Sequence, residues 1–442
     1  MKTLGITTLA DRAITLPKNE VPKAWYNVQA DLPTPLKPYL SPVDQSPIAP
    51  EALGAIFPES LIEQEFGRER FYQIPDPVRE ALALWRPTPM VRALGLERAL
   101  GVRSRIYYKN ESVSPSGSHK NNSAIPQAYF NKAAGIKRLT TETGAGQWGT
   151  ALAMACHHFG IDLRVYMVKV SFEQKPYRKI LMNLMDAEVA PSPSPLTQAG
   201  RAALAKNPGD IGSLGLAISE AVEEAAGRDD TNYALGSVLN HVVLHQTVIG
   251  QEAKRQLEVA GEKPDYLIGC HGGGSNFGGF VSPFVPELLE GRGPQLIAAE
   301  PAACPTLTQG KLGYDYGDTA GLTPMMPMYS LGVDFQAPGI HAGGLRYHGA
   351  SPIISALMQE KLMTAQAIDS ETMFHYARLF AQNENLVPAP ESGHAIAAAS
   401  LKALELERQG RPGCIIFCLS GHGLIDLAAY ENNAPQLKAK AA

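Results

Sequence analysis

Long apolar runs are missing from this sequence. No stretch of its 442 residues approaches the roughly 18 consecutive apolar residues of a membrane span. Basic clusters are missing too: the net charge is −4 and no Lys/Arg run exceeds two residues, so the basic stripe of a nucleic-acid binder is absent. Cysteine is scarce, and the five residues Cys156, Cys270, Cys304, Cys414 and Cys418 form no C-x-x-C pair. An odd, sparse set excludes a disulfide framework and tells against a zinc ribbon or a thioredoxin-type motif. Charged residues make up only 19% against 45% hydrophobic, which excludes a disordered, collagen-like or coiled-coil chain. The first twenty residues hold no continuous apolar segment. The expectation is a soluble, cytoplasmic protein that meets neither membrane nor nucleic acid.

What is present is enough chain for two or three domains. Residues 1 to about 60 are proline-rich and irregular, and read as an arm lying over the surface. Apolar runs at 106–111, 163–170, 266–270, 296–300 and 415–419 read as strands. Helical patterns span 123–134, 150–159, 217–226, 240–259 and 372–383. The alternation predicts an α/β fold with layers around mostly parallel sheets, two of which account for the length. The PSPSP stretch at 191–195 reads as a short rigid connector.

Three glycine-bearing loops carry the chemistry. GCHGGGSNFGG, residues 269–279, follows the strand pattern DYLIGC. Gly272, Gly273, Gly274, Ser275 and Asn276 let backbone N–H groups approach an anion, so they form a candidate phosphate cradle. The loop is neither a dinucleotide fingerprint, since Phe277 takes the last glycine's place, nor a P-loop, since no Lys-Ser/Thr follows. That argues against a nicotinamide-dependent dehydrogenase. TETGAGQWG, residues 141–149, suits a carboxylate, with Glu142 at its head. LSGHG, residues 419–423, places Ser420 at the carboxyl end of a strand, where α/β folds bind ligands.

Lys120 lies among Ser, Gly, His and Asn in SPSGSHKNNSA, a setting closer to a pocket than to a charged face. A lysine amine of depressed pKa is the usual nucleophile toward carbonyl carbon. Other constellations are weaker. His241 and His245 are spaced i,i+4 but lack the glutamate of a metalloprotease motif. His341, His348 and the pair His157–His158 read as structural or surface residues, and Met325, Met326 and Met328 as loop packing. Cys414 and Cys418 read as small core residues on one face of a strand.

These segments occur together in a recognisable order. PTPMVRALGLERALG, KNESVSPSGSHKNNSA, ETGAGQWG, GGGSN, PAPESGHAI and LSGHG stand as they do in tryptophan synthase beta chains. EPAACPTLTQGKLGYDYGDTAGLTP and HAGGLRYHG resemble the second, longer family of those chains, which lacks dependence on an alpha subunit. The resemblance covers roughly residues 50 to 432.

The resemblance implies a pyridoxal 5'-phosphate enzyme of fold type II: two three-layer α/β domains with the cofactor between them. It implies an N-terminal extension at 1–60 and an N-terminal domain at 61–237 with a mobile substrate-binding subdomain. It implies a C-terminal domain at 238–442, against which the segment at about 86–118 packs. Lys120 matches the lysine that holds the cofactor's aldehyde carbon, and His119 the neighbour that contacts the phosphate. Asn122 joins that cofactor-binding set. Gly272, Gly273, Gly274, Ser275 and Asn276 match the phosphate loop, and Ser420 the serine facing the pyridine nitrogen. Glu391 matches a glutamate near the phenolic oxygen, and Glu142 the catalytic glutamate. Thr143, Gly144, Ala145, Gly146, Gln147 and Trp148 match the substrate-binding loop.

The implied reaction is a β-replacement, a carbon–oxygen lyase step joining L-serine and indole into L-tryptophan. Glu142 would serve in two protonation states, which predicts partial burial and a pKa near the working pH. A neutral hydroxyl at Ser420 cannot hold the ring nitrogen protonated as a carboxylate would. A homodimer, a monovalent cation (K+ or Na+) on backbone carbonyls and independence of an alpha chain are also implied. His271, Asn121, Trp148 and the NENL segment at 383–386 depart from the common beta-chain pattern. They leave open a related enzyme with another nucleophile or an activated serine.

Overall fold

The computed structural model describes residues 12–433. The expectations for residues 1–11 and 434–442 fall outside the described residues.

Two main sheets organise the fold. The larger has seven strands, in the order Ala13–Ile14, Met90–Arg92, Arg105–Asn110, Cys414–Leu419, Tyr266–Cys270, Gln295–Pro301 and Met363–Ile368. The last five run parallel, while the first two are antiparallel additions at one edge. The smaller sheet is parallel throughout: Glu188–Ser192, Asp162–Val168, Arg138–Thr143 and Thr231–Tyr233.

Side-chain alternation explains why each sheet is covered twice. On Cys414–Leu419, the residues Cys414, Ile416 and Cys418 pack with Phe277, Phe280 and Ile353 on one face. Ile415, Phe417 and Leu419 pack with Ile396, Ala399 and Phe380 on the other. A strand buried on both faces must be apolar throughout, as this one is. The smaller sheet repeats the plan: Leu163, Val165 and Met167 face the helix Gln147–Phe159, and Tyr166 and Val168 face the helix Leu214–Ala226.

Parallel register fixes where ligands can sit. Leu419 pairs with Asn110, and Ile268 with Phe417. The loops after these three neighbouring strands therefore leave the sheet on the same side: 111–120, 271–274 and 420–423. The sheet is joined in opposite directions on either side of this point, which opens a crevice at the strand ends.

Four sequence expectations change. The arm is more than a surface cover. Its strand Ala13–Ile14 extends the large sheet, and Trp25 is fully buried beside Phe130 and His245. The helix expected at 240–259 is two helices, Asn240–Gln246 and Val248–Ala260. The break falls at Thr247, whose Oγ1 donates back to the Leu244 carbonyl at 2.7 Å and accepts from the Tyr26 N–H at 3.1 Å. The PSPSP stretch begins inside the edge strand Glu188–Ser192, a position where proline is tolerated because the strand is paired on one side only. Met326 and Met328 are buried on the strand Met325–Ser330 of a hairpin. His241 and His245 serve the core: His241 Nδ1 lies 2.7 Å from Glu65 Oε2, and His245 Nε2 lies 2.7 Å from Gln64 Oε1.

Candidate active site

The loops at the strand ends close around one cavity. Its walls include Ser118, His119, Lys120, Gln147, Cys270, the glycines 272–274, Ser275, Asn276, Glu391 and Ser420. Residues more than 300 positions apart in sequence thus share one wall, because the strand Cys414–Leu419 lies between Arg105–Asn110 and Tyr266–Cys270.

Lys120 stands at the start of the helix Asn121–Ala133, and its Nζ lies 3.4 Å from the Gly236 carbonyl. Desolvation pushes its amine below the usual lysine range, against the pull of Glu391, the Cys270 thiol and Glu142. An amine so placed is closer to its neutral, nucleophilic form. Beside it, burial lowers the pKa of His119 to about 3, so the ring is neutral.

Glu142 is the penultimate residue of the strand Arg138–Thr143, and it is fully buried rather than partly so as expected, because it lies inside the sheet's packing and not at its rim. Burial raises its pKa to about 8, although the Tyr233 hydroxyl donates to Oε2 at 2.5 Å and favours the carboxylate. The two-state behaviour expected of this residue therefore has a physical basis near neutral pH. From Gly144 the chain turns through Gly146, at φ +98°, into the helix Gln147–Phe159. A side chain at Gly146 would run into Arg178, 2.7 Å away. Gln147 reaches across to the larger sheet, donating to Glu391 Oε1 at 2.9 Å, and the Gly344 N–H donates to the same oxygen at 2.8 Å.

The cavity's chemistry fits pyridoxal phosphate. Added Cβ atoms at Gly272 and Gly273 would each fall 2.8 Å from a neighbouring carbon, and Gly274 adopts φ +109°, so the loop stays bare backbone. Among the described residues, no acceptor takes the N–H of Gly272, Gly273 or Gly274. Such a row of free donors suits a phosphate. Two buried polar atoms on the wall also lack partners, His119 Nδ1 and Glu391 Oε2. A cofactor bearing a phosphate, an aldehyde and a phenolic oxygen supplies partners for such groups.

The sequence matches the family of pyridoxal-phosphate dependent enzymes over residues 82–421. It is 58% identical to the tryptophan synthase beta chain 2 of Thermotoga maritima, across 94% of this chain and 99% of that one. With the tryptophan synthase beta chain 2 of Aquifex aeolicus it shares 54% identity, across 95% and 98%. This chain belongs to the tryptophan synthase beta chain family. A likeness of fold extends further, to a fungal L-serine ammonia-lyase from Rhizomucor miehei. That structure gives a TM-score of 0.58 at 16% identity, covering 78% of this chain and 96% of the other. The beta-chain fold is thus the fold type II scaffold of pyridoxal-phosphate enzymes.

Not every residue expected at the site lines this cavity. Asn122 is turned into a buried network, donating to Glu111 Oε2 at 2.9 Å and to Gln246 Oε1 at 3.0 Å. Trp148 points into the smaller sheet's core, where its indole N–H donates to Thr141 Oγ1 at 2.7 Å and its ring backs Gly236. It supports from behind the carbonyl that faces Lys120. Thr143 accepts the Gly149 N–H through Oγ1 at 3.2 Å, and Ala145 packs against Gly343. Gly144 opens onto a neighbouring cavity of about 630 Å³.

Other residues reach the site that the sequence reading did not assign to it, some of them inside the very motifs it singled out. Arg178 and His422 line the cavity, and Asp426 holds both Arg178 Nη2 at 3.2 Å and Lys175 Nζ at 2.7 Å. Tyr233 ends a three-residue strand too short to read from periodicity. Cys270 and Ser392 flank Ser420. The period-2 pattern of 266–270 marks Cys270 as facing one side of the sheet, but only the neighbouring strand shows what it faces.

Proposed function

We propose that this protein makes L-tryptophan from L-serine and indole by β-replacement. What carries the reading is the gathering of Lys120, the 272–276 loop and Ser420 on one cavity wall, with a protonatable Glu142 close enough for Lys120 to feel its charge. Residues 272–276 would hold the cofactor phosphate, Lys120 its aldehyde carbon, Ser420 the ring nitrogen, and Glu391 the region of the phenolic oxygen. When bound, pyridoxal phosphate supplies an electron sink for the carbon that loses a proton.

The chain's own groups move the protons. Lys120 Nζ, freed by exchange with the amino acid, takes the proton from the substrate's α-carbon. The loop 143–147 presents backbone N–H groups to the substrate carboxylate. Glu142, protonated below about pH 8, gives its proton to the departing β-hydroxyl oxygen. The resulting carboxylate takes the proton from the indole nitrogen as C3 of indole bonds to the β-carbon. Tyr233 steadies that carboxylate by its hydrogen bond.

We also read the enzyme as a cytoplasmic homodimer that works without an alpha subunit and uses K+ or Na+ held by backbone carbonyls. All five cysteines are free and buried, which fits a reducing compartment. The arm supports alpha independence: Leu40 bridges to Met325 and Tyr39 packs on Phe66, covering surface a partner would otherwise meet. In this reading the boundaries near 60 and 237 separate the arm and the two domains, with 86–118 crossing to the larger sheet.

One observation favours a second reading, in which the serine is activated at its hydroxyl. Arg346 lines the cavity that Gly144 opens onto, and its buried Nε has no partner. An anionic leaving group would find a cation there.

The test is direct. Purified protein with pyridoxal phosphate, L-serine and indole should form L-tryptophan, more slowly when K+ is replaced by an organic cation. Absence of product with serine and with its O-esters would overturn the function. A much higher kcat/KM with an O-ester would select the second reading. Sedimentation gives the oligomeric state, and titration with an alpha subunit tests independence.

A further inference from the structure

The hydroxyl of Ser420 has more partners than a single group facing a ring nitrogen needs. Its Oγ lies 2.8 Å from Ser392 Oγ and 3.4 Å from the Cys270 Sγ. Both neighbours are buried, Cys270 at 4% exposure and Ser392 at 0%. Ser420 itself sits on the cavity wall beside Cys270, while Ser392 lies behind it, on the helix Pro390–Arg408.

Proton counting gives the direction of each bond. A hydroxyl has one proton to donate and two lone pairs to accept with. The Gly421 N–H donates to Ser392 Oγ at 3.0 Å. Ser392 therefore has its own proton left to place, and two acceptors in reach: Ser420 Oγ at 2.8 Å and the Gly421 carbonyl at 3.1 Å. That carbonyl already accepts the Ala389 N–H at 2.9 Å. Ser420 Oγ is the nearer of the two. On its other side the Cys270 thiol keeps its proton, because burial raises its pKa to about 11, and donates it to Ser420 Oγ. The charged groups facing this corner are Glu391 and Lys120.

We propose that Ser392 and Cys270 are positioning residues that fill both lone pairs of Ser420 and so turn its one proton into the cavity. The chain runs Gly421 N–H to Ser392, Ser392 O–H to Ser420, and Ser420 O–H to whatever faces it. Serially oriented hydrogen bonds polarise one another and strengthen the last donor. An obligate donor demands an acceptor, so the relay selects a cofactor whose ring nitrogen carries no proton. The opposite arrangement, with Ser420 donating to Ser392 and Ser392 to the Gly421 carbonyl, would turn a lone pair to the cavity and favour a protonated ring. The proposal rests on pyridoxal phosphate binding as read above, and adds what Ser420 alone does not determine: which way its proton points.

The test uses the holoenzyme reconstituted with cofactor labelled with ¹⁵N in the ring, followed by NMR from pH 6 to 9. The variants are Ser392→Ala, Cys270→Val, the double variant and Ser392→Thr, with cofactor stoichiometry and thermal midpoint checked for each. In the unchanged enzyme the ring nitrogen should resonate at the unprotonated position throughout. In the double variant the signal should move upfield toward the pyridinium position as the pH falls, with its apparent pKa raised by about one unit. Ser392→Thr, which keeps the hydroxyl, should restore the original signal.

A pyridinium signal in the unchanged enzyme would overturn the relay, and that measurement needs no variant to fold. So would identical signals in all folded variants, and either result would leave cofactor binding intact. Failure of the unchanged protein to bind cofactor would instead remove the functional reading on which the relay stands.

Discussion

Glu142 shows how much one buried carboxyl can report. Removing the donor that favours its carboxylate, by Tyr233→Phe, should raise its pKa further. The limb of the pH–rate profile set by Glu142 should then move to higher pH by about one to two units, since hydrogen bonds to charged groups are worth roughly 1.5–3 kcal/mol. A limb that stays in place would separate Glu142 from that ionisation. The same shift has a sign for stability. The folded carboxyl binds its proton more tightly than an ordinary glutamate near 4.5, so its contribution is fully present below pH 4.5 and lost as pH rises through about 8. Urea unfolding of Glu142→Gln, compared with the unchanged protein at pH 5 and pH 9, should show the variant gaining relative stability at the higher pH. The need for a pKa near neutrality was legible in the sequence only through the role that resemblance assigned. Its cause, burial opposed by a tyrosine 91 positions away, was not.

At the scale of elements, the phosphate loop and the arm make opposite points. Gly274 at φ +109° begins the helix Ser275–Val281, and an added Cβ would lie 2.7 Å from Ile354 Cγ1. Gly274→Ala should therefore destabilise by more than about 1 kcal/mol and weaken cofactor binding, read as a lower affinity in an absorbance titration of the apoenzyme. Small residues after an apolar run announce such a loop, so this element could be read from sequence alone. The arm could not. Its prolines suggested a cover, yet Trp25 is fully buried beside Phe130 and His245. Trp25→Ala should cost roughly 3–5 kcal/mol in chemical denaturation, whereas a surface cover would lose almost nothing. Irregular backbone hides burial from periodicity, because neither a period of 2 nor one of 3.6 marks which side chains turn inward.

Across the whole molecule, a fully buried charge cluster lies under the site. Arg86 meets Glu252 at 2.9 Å and Glu111 at 2.8 Å, and Lys109 meets Glu252 at 2.7 Å. The same Arg86 donates to Asn122, two residues beyond Lys120, at 2.8 Å. The neighbouring cations hold the Glu111 carboxyl down at about 2 despite its burial. Glu252→Gln would leave two buried cations facing one carboxylate, and should destabilise by roughly 3–5 kcal/mol in urea unfolding. A change under 1 kcal/mol would mean that water or relaxation already compensates these charges. Acting alone, the sequence determined the chemistry on offer: a lysine in a small-residue setting, a bare glycine loop after a strand, and a serine at a strand's carboxyl end. Those signals are local, since each depends on neighbours within a few positions. Only the tertiary structure decided which groups meet. Parallel pairing of strands distant in the chain brought Cys270 and Ser420 side by side, turned Asn122 and Trp148 away from the cavity, and set Tyr233 against Glu142. Register between strands is a long-range property, and no window of residues contains it.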